Sequence, residues 1–236
     1  MYPIDLKAFK SIDFLSIKPQ LLFTERRDTK FLFHRDDLPS IVNRLENDYL
    51  LVIHHGKQSQ VYSTVYYDST DLKYYLAHHN GHGNRMKMRT RTYEDGSSFF
   101  EVKQKTNRGV TLKERRSNEG RLDDGLVAKL KVVYERITFY DIHLQEKVTI
   151  DFNLEYLDGE RKINYPELVI AESKKMKNID SPFMTLMKNK KIEKVSLSKY
   201  CLGIVSLCDQ IKKNNFKGLL YKIQKLKNTY DLSATY

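Results

Sequence analysis

With two cysteines in 236 residues, the chain has no disulfide framework, and it contains no internal repeat and no low-complexity tract. Cys201 and Cys208 lie seven positions apart in an apolar helical pattern, so they share a face about two turns apart, too far for a bridge within one helix. They read as buried, reduced thiols of a cytosolic protein. No apolar run approaches the ~20 residues of a membrane span. Asp5, Lys7, Lys10 and Asp13 interrupt the N-terminal apolar residues, so no signal peptide is expected there. The expectation is a soluble, cytoplasmic protein. Neither a Walker loop nor a Gly-x-Gly-x-x-Gly fingerprint occurs, so a nucleotide here would be held by side chains.

Acidic residues are also in short supply. Forty-one Lys and Arg stand against 30 Asp and Glu, a net charge of +11. The excess is concentrated: residues 85–116 hold ten basic and four acidic residues. Clustering of this kind points to a binding site more than to general solubility. Forty per cent hydrophobic and eleven per cent aromatic residues supply an ordinary folded core.

Residues 85–116 read as three short strands, with Glu94-Asp95-Gly96-Ser97 and Asn107-Arg108-Gly109 as the reversals between them. Side chains alternate across a strand, so Arg85, Lys87, Arg89 and Arg91 share one face, joined by Glu101, Lys103 and Lys105 and by Lys113 and Arg115. Met86, Met88, Phe100, Val102, Val110 and Leu112 take the other face and call for burial. Like charges a few ångströms apart repel by roughly 1 kcal/mol in water and about four times that at a protein-like dielectric. One side of this sheet needs a hydrophobic layer; the other needs an anion.

The remaining chain has mixed patterning. Residues 1–20 read as a short helix or arm, and Leu22 to Phe33 as a strand with Arg26, Asp28 and Lys30 opposite Phe31 and Phe33. Helices are expected after Asp36-Asp37, over Asp71 to His79, and over Asp123 to Tyr140 with a break near Lys131, where Leu126, Leu130, Val133, Ile137 and Tyr140 recur as apolar positions. Leu50–His54, Gln60–Asp68, Lys147–Tyr156 and Pro166–Lys175 read as strands. Ser181-Pro182 and Ser196 or Ser198 open two further helices. Phe216 to Lys227 is a basic amphipathic helix, suited to an anionic membrane surface or, more commonly, to its own domain.

Taken together, Lys30-Phe31, Tyr66-Tyr67-Asp68, Arg89-Thr90-Arg91-Thr92-Tyr93, Phe100-Glu101-Val102-Lys103, Leu112-Lys113-Glu114-Arg115, Glu172-Ser173-Lys174 and Leu197-Ser198-Lys199-Tyr200 resemble the VTC domain. This is the catalytic domain of vacuolar transporter chaperone polyphosphate polymerases, with bacterial stand-alone relatives, in the triphosphate tunnel metalloenzyme (CYTH-like) group. The resemblance implies an α+β fold built on a closed antiparallel β-barrel, a triphosphate tunnel, with helices packed outside. It divides the chain into an arm at 1–21, the tunnel domain at 22–210 and a C-terminal helix and tail at 211–236. The implied activity is metal-dependent transfer of the γ-phosphoryl group of ATP to a growing polyphosphate. Lys30, Arg89, Arg91, Lys103 and Lys113 would be catalytic and phosphate-binding, with Arg26, Arg115, Arg136 and Lys199 as further phosphate ligands. Glu172 would hold Mn2+ or Mg2+. Glu101 would either join it or pair with neighbouring cations.

The implied partners are ATP and inorganic polyphosphate, with a separate membrane protein needed for any export and no nucleic acid. One departure bears on activity. The hydrolytic branch carries Glu-x-Glu-x-Lys on its first strand, whereas here Arg26-x-Asp28-x-Lys30 replaces a carboxylate by a cation. That favours holding another phosphate over metal-activated attack by water. Inorganic triphosphate or nucleoside triphosphate hydrolysis, and a non-catalytic polyphosphate- or nucleotide-binding module, remain the alternatives. His78 and His82 have a spacing that can bind zinc, or serve surface and helix-dipole roles.

Overall fold

The structure, a computed structural model, describes residues 4–17, 26–108, 110–117, 125–141, 143–159, 161–176 and 180–233. In chain order the strands are β1 (Ser11–Asp13), β2 (Arg26–His34), β3 (Leu50–Ile53), β4 (Ser59–Ser69), β5 (Arg85–Tyr93), β6 (Ser98–Lys105) and β7 (Thr111–Ser117). They continue as β8 (Leu126–Asp141), β9 (Glu146–Asp158), β10 (Arg161–Tyr165), β11 (Leu168–Met176) and β12 (Lys194–Val195). The helices are α1 (Phe14–Ile17), α2 (Leu38–Leu45), α3 (Lys73–His79), α4 (Pro182–Asn189), α5 (Lys199–Leu207) and α6 (Lys217–Ser233). The architecture is α+β, with one sheet ordered β12-β2-β11-β9-β8-β4-β5-β6-β7. Its pairings are antiparallel apart from β1, which runs parallel to β3 as part of the segment expected as an arm.

The expected barrel closure is not seen. Among the described residues the pairing path ends at β12 on one side and β7 on the other. The edge of β2 that closure would use is taken by β12, whose Lys194 and Val195 pair with Phe31 and Lys30. β7 is exposed along its whole length. The outer face of the cationic strands is likewise not fully covered: Met88 is buried, but Val110 is 52% and Leu112 is 55% exposed.

Apolar residues sit on both faces of the central strands. On one face Leu32, Leu130, Val132, Leu154, Tyr156 and Ile170 pack with Tyr200, Leu202 and Ile204 of α5. On the other, Phe31, Phe33, Ile137, Phe139, Val148 and Ile150 pack with Ile41 of α2 and Phe183 of α4. This corrects the helix expected over Asp123 to Tyr140, where the described residues form β8. Its apolar residues change face midway: Leu130 and Val132 serve the first core and Ile137 and Phe139 the second. Seven residues separate Leu130 from Ile137, a helical interval produced by a strand that serves two cores.

β9 makes the same exchange with a bulge. Its register against β8 slips between the Val133–Glu155 and Glu135–Phe152 pairs, and Asn153 takes a left-handed φ of 53° at that point. Asp151 and Tyr156 therefore come to one face despite their odd spacing. α5 lies close on that face. A Cβ at Gly203 would come within 2.5 Å of Leu130 and Tyr156 side-chain carbons, so only glycine permits the approach. Buried Asp68 fastens this helix to α3, accepting from Tyr75 N at 2.9 Å and from Tyr200 Oη at 2.5 Å. α6 packs Ile223, and the turn before it packs Phe216, into the same core, as expected of a helix that covers its own domain. No described helix is long and apolar enough to cross a membrane.

Candidate polyanion site

Beyond the first core, the face that carries Leu32 and Leu130 becomes charged and lines a cavity of about 450 Å³. Seven strands and the start of α5 contribute eleven Lys and Arg side chains to its wall, against Asp28, Glu101, Glu114 and Glu172. β2 contributes Lys30; β5 contributes Lys87, Arg89 and Arg91; β6 contributes Lys103; β7 contributes Lys113 and Arg115. Arg136, Lys147, Lys174 and Lys199 come from β8, β9, β11 and α5. Period-2 placement puts each strand cation on the inner face, and α5, which carries Lys199, is held close by the contact at Gly203.

Three carboxylates bind these cations together without neutralising them. Glu172 accepts from Lys30 Nζ at 2.7 Å and from Lys174 Nζ. Burial works to raise its pKa, yet Lys174 and Lys30 hold it well below the usual carboxylate range. Asp151 takes two hydrogen bonds from Arg136, at 2.5 and 2.7 Å, and one from Lys199 at 2.5 Å. Against the effect of burial, these two cations bring it down to about 2. Glu101 accepts from Arg89 Nε at 2.7 Å, with Arg91 and Arg115 at 3.9 and 3.8 Å. Each acid thus serves two or three cations, and the wall keeps a positive excess in a partly dehydrated setting.

Aromatic rings support the same cations from beneath. Tyr62 and Tyr134 stack with centroids 5.3 Å apart. The guanidinium carbons of Arg91 and Arg136 lie 5.4 and 5.1 Å from the Tyr62 centroid, and Lys199 Nζ lies 4.6 Å from that of Tyr134. A ring face attracts a cation without occupying its N–H donors. Arg91 Nε is buried and has no hydrogen-bond partner among the described residues. Lys87 donates to Ser198 Oγ, the N-cap of α5, at 3.0 Å. Burial lowers its pKa to about 8, with Lys103, Arg85 and Lys30 acting in the same direction.

Every expected site residue with a described side chain lines this one cavity: Lys30, Arg89, Arg91, Glu101, Lys103, Lys113, Arg115, Arg136, Glu172 and Lys199. The side chain of Arg26 lies outside the described residues. Lys87, Lys147, Lys174, Asp151 and Tyr134 complete the site; the sequence places Lys87 on the cationic face and Lys174 in a motif, but gives none of the five a site role. Lys174 was available as the same-face neighbour two residues beyond Glu172. Lys147 and Asp151 share β9 with a run of core residues, and no sequence signal separates them from it.

The donor set was expected to hold a divalent metal through Glu172. Among the described residues no three His, Cys, Asp or Glu side chains converge on one point. Glu172 and Glu101 are each engaged by cations, so the protein groups suit a metal only when phosphate oxygens supply most of its ligands. His78 stacks on Phe216 at 6.3 Å and His79 accepts from Asn215 N at 3.3 Å, roles that pack α3 against the segment leading into α6.

No curated protein sequence matches this chain. The VTC domain family model matches residues 25–121 and 117–208. Those residues contain the whole cationic wall, from Asp28 to Lys199. They also make up more than half of the 236. On this sequence match and the site it encloses, the chain belongs to the VTC domain family.

Proposed function

We propose that this protein is a polyphosphate polymerase that transfers the γ-phosphoryl group of ATP to the end of an inorganic polyphosphate. The observation that carries this reading is the convergence of eleven cations, from seven strands and a helix, on one cavity. In the transfer, a terminal oxygen of the chain attacks the γ-phosphorus, the bond from that phosphorus to the β,γ-bridging oxygen breaks, and ADP leaves with the electron pair. Such a reaction needs alignment and charge neutralisation more than a covalent protein nucleophile. The arginines suit bidentate grasp of non-bridging oxygens, while the lysines act as point charges. Aromatic support and shared carboxylates hold these groups oriented before substrate arrives.

A bound Mn2+ or Mg2+ would offset charge on the triphosphate, with Glu172 as the protein group that would hold it. Lys30 and Lys174 would then turn from Glu172 towards phosphate oxygens. Incubation with ATP and manganese followed by product sizing tests the reading. Chains of phosphate support polymerase activity; orthophosphate as the only product establishes a triphosphatase, and tight binding without turnover establishes a binding module.

A further inference from the structure

The cationic wall does not stop where the cavity does. Across β5, β6 and β7 the paired residues form rows, and Arg89, Glu101 and Arg115 make one row with a carboxylate at its centre. Lys87, Lys103 and Lys113 make the next row, without an acid. One step further along the same face Arg85 stands directly opposite Lys105, outside the residues that line the cavity. Like charges placed opposite each other on adjacent strands are destabilising. Neither Arg85 nor Lys105 meets a carboxylate among the described residues. Arg85 adds to the field that depresses Lys87, and Arg85 and Lys105 both act, together with Lys87, on His78. The row is therefore continuous with the cavity wall in space.

The two ends of this three-stranded segment differ in charge. At the β5–β6 turn, Glu94 is bound by Lys57 and Asp95 lies 3.2 Å from His55. At the opposite end, residues 79–93 and 102–113 contain no Asp or Glu. An extended anion leaving the cavity meets acid at the first end and only cations at the second.

We propose that Arg85 and Lys105 form an outer subsite for a linear polyphosphate longer than the triphosphate held in the cavity, so that the chain passes out over this pair. The inference rests on the proposed function and adds a direction of travel and a length preference. A triphosphate confined to the cavity does not reach the pair, whereas a long chain does.

The test compares wild type with Arg85→Ala/Lys105→Ala, titrating tripolyphosphate and long-chain polyphosphate separately at two salt concentrations. Circular dichroism and thermal melting confirm the fold of the variant. The expected result is unchanged tripolyphosphate affinity and about tenfold weaker long-chain binding, the size of one half-buried and one exposed ionic contact. The salt dependence for the long chain becomes shallower because fewer counterions are released. Arg85→Lys/Lys105→Arg, which keeps both charges, retains long-chain affinity. Unchanged long-chain binding by the alanine variant, or equal losses for both ligands, overturns the outer subsite alone. Failure of wild type to bind either ligand overturns the proposed function along with it.

Discussion

The two sides of the cavity are built differently. On the side formed by β2, β11, β9 and β8, Lys30, Lys174, Arg136 and Lys199 are locked to Glu172 and Asp151, and the reverse face of the sheet carries the Phe31–Ile150 core. On the side formed by β5, β6 and β7, Glu101 is shared by three arginines, β7 is exposed, and Leu112 faces solvent. The first side is preorganised by burial. The second has a strong cationic field with little packing behind it, so an anion has more order to confer there.

The largest effect that sharpens this contrast is expected for Asp151→Asn. Removing the charge leaves Arg136 and Lys199 buried without their counter-ion, at a cost of about 3–5 kcal/mol in denaturant unfolding. Tripolyphosphate should restore part of that loss. A variant as stable as wild type would show that the first side does not depend on its buried pairs. On the second side, exposed Lys103 should behave oppositely. Lys103→Ala should lower phosphoryl transfer by about 100-fold or more, as for loss of a charge-stabilising group, while moving stability by less than about 0.5 kcal/mol. Unchanged turnover removes Lys103 from the reaction.

Lys87, at the junction of the two sides, supplies a pH test. Below its pKa of about 8 the ammonium is charged. Tripolyphosphate affinity should therefore fall as pH rises through that value, by about tenfold or less. The linkage to folding has the opposite sign. A lysine whose pKa drops from 10.5 to about 8 destabilises the fold below pH 8, and that penalty is relieved as pH rises between the two values. Lys87→Arg should flatten the affinity profile, and a profile left unchanged means that Lys87 does not face the ligand. The smallest effect belongs to Leu112→Ser, within about 0.5 kcal/mol of wild type in thermal unfolding. A larger loss would reveal a covered outer face.

The second side was legible in the sequence, because one of its faces is charged throughout and the period of two shows at Arg85, Lys87, Arg89 and Arg91. The first side was legible only in part. β8 and β9 bury apolar residues on both faces, so Asp151 and Lys147 stand in runs that read as plain core. The resemblance supplied Lys30, Arg136 and Glu172, since motif spacing carries information that alternation does not. Closure into a barrel could not be read from local pattern, since it depends on which strand takes the free edge of β2. The two-residue strand β12 takes it.

Asn153 is an extra residue that β9 absorbs without losing the shared face of Asp151 and Tyr156. With its φ of 53° it acts as a phase shifter: upstream, odd-numbered residues face the cavity, and downstream, Leu154 and Tyr156 share that face. Deleting this residue would close the bulge and leave Leu154 and Tyr156 on the cavity face, whereas one further residue taken into the ladder here would turn every later side chain of β9 over, along with the β10 strand that pairs with it. Relatives should therefore carry either this bulge or a regular strand one residue shorter between the positions of Asp151 and Tyr156. A left-handed position there should be filled by Asn, Asp or Gly, the residues that tolerate it.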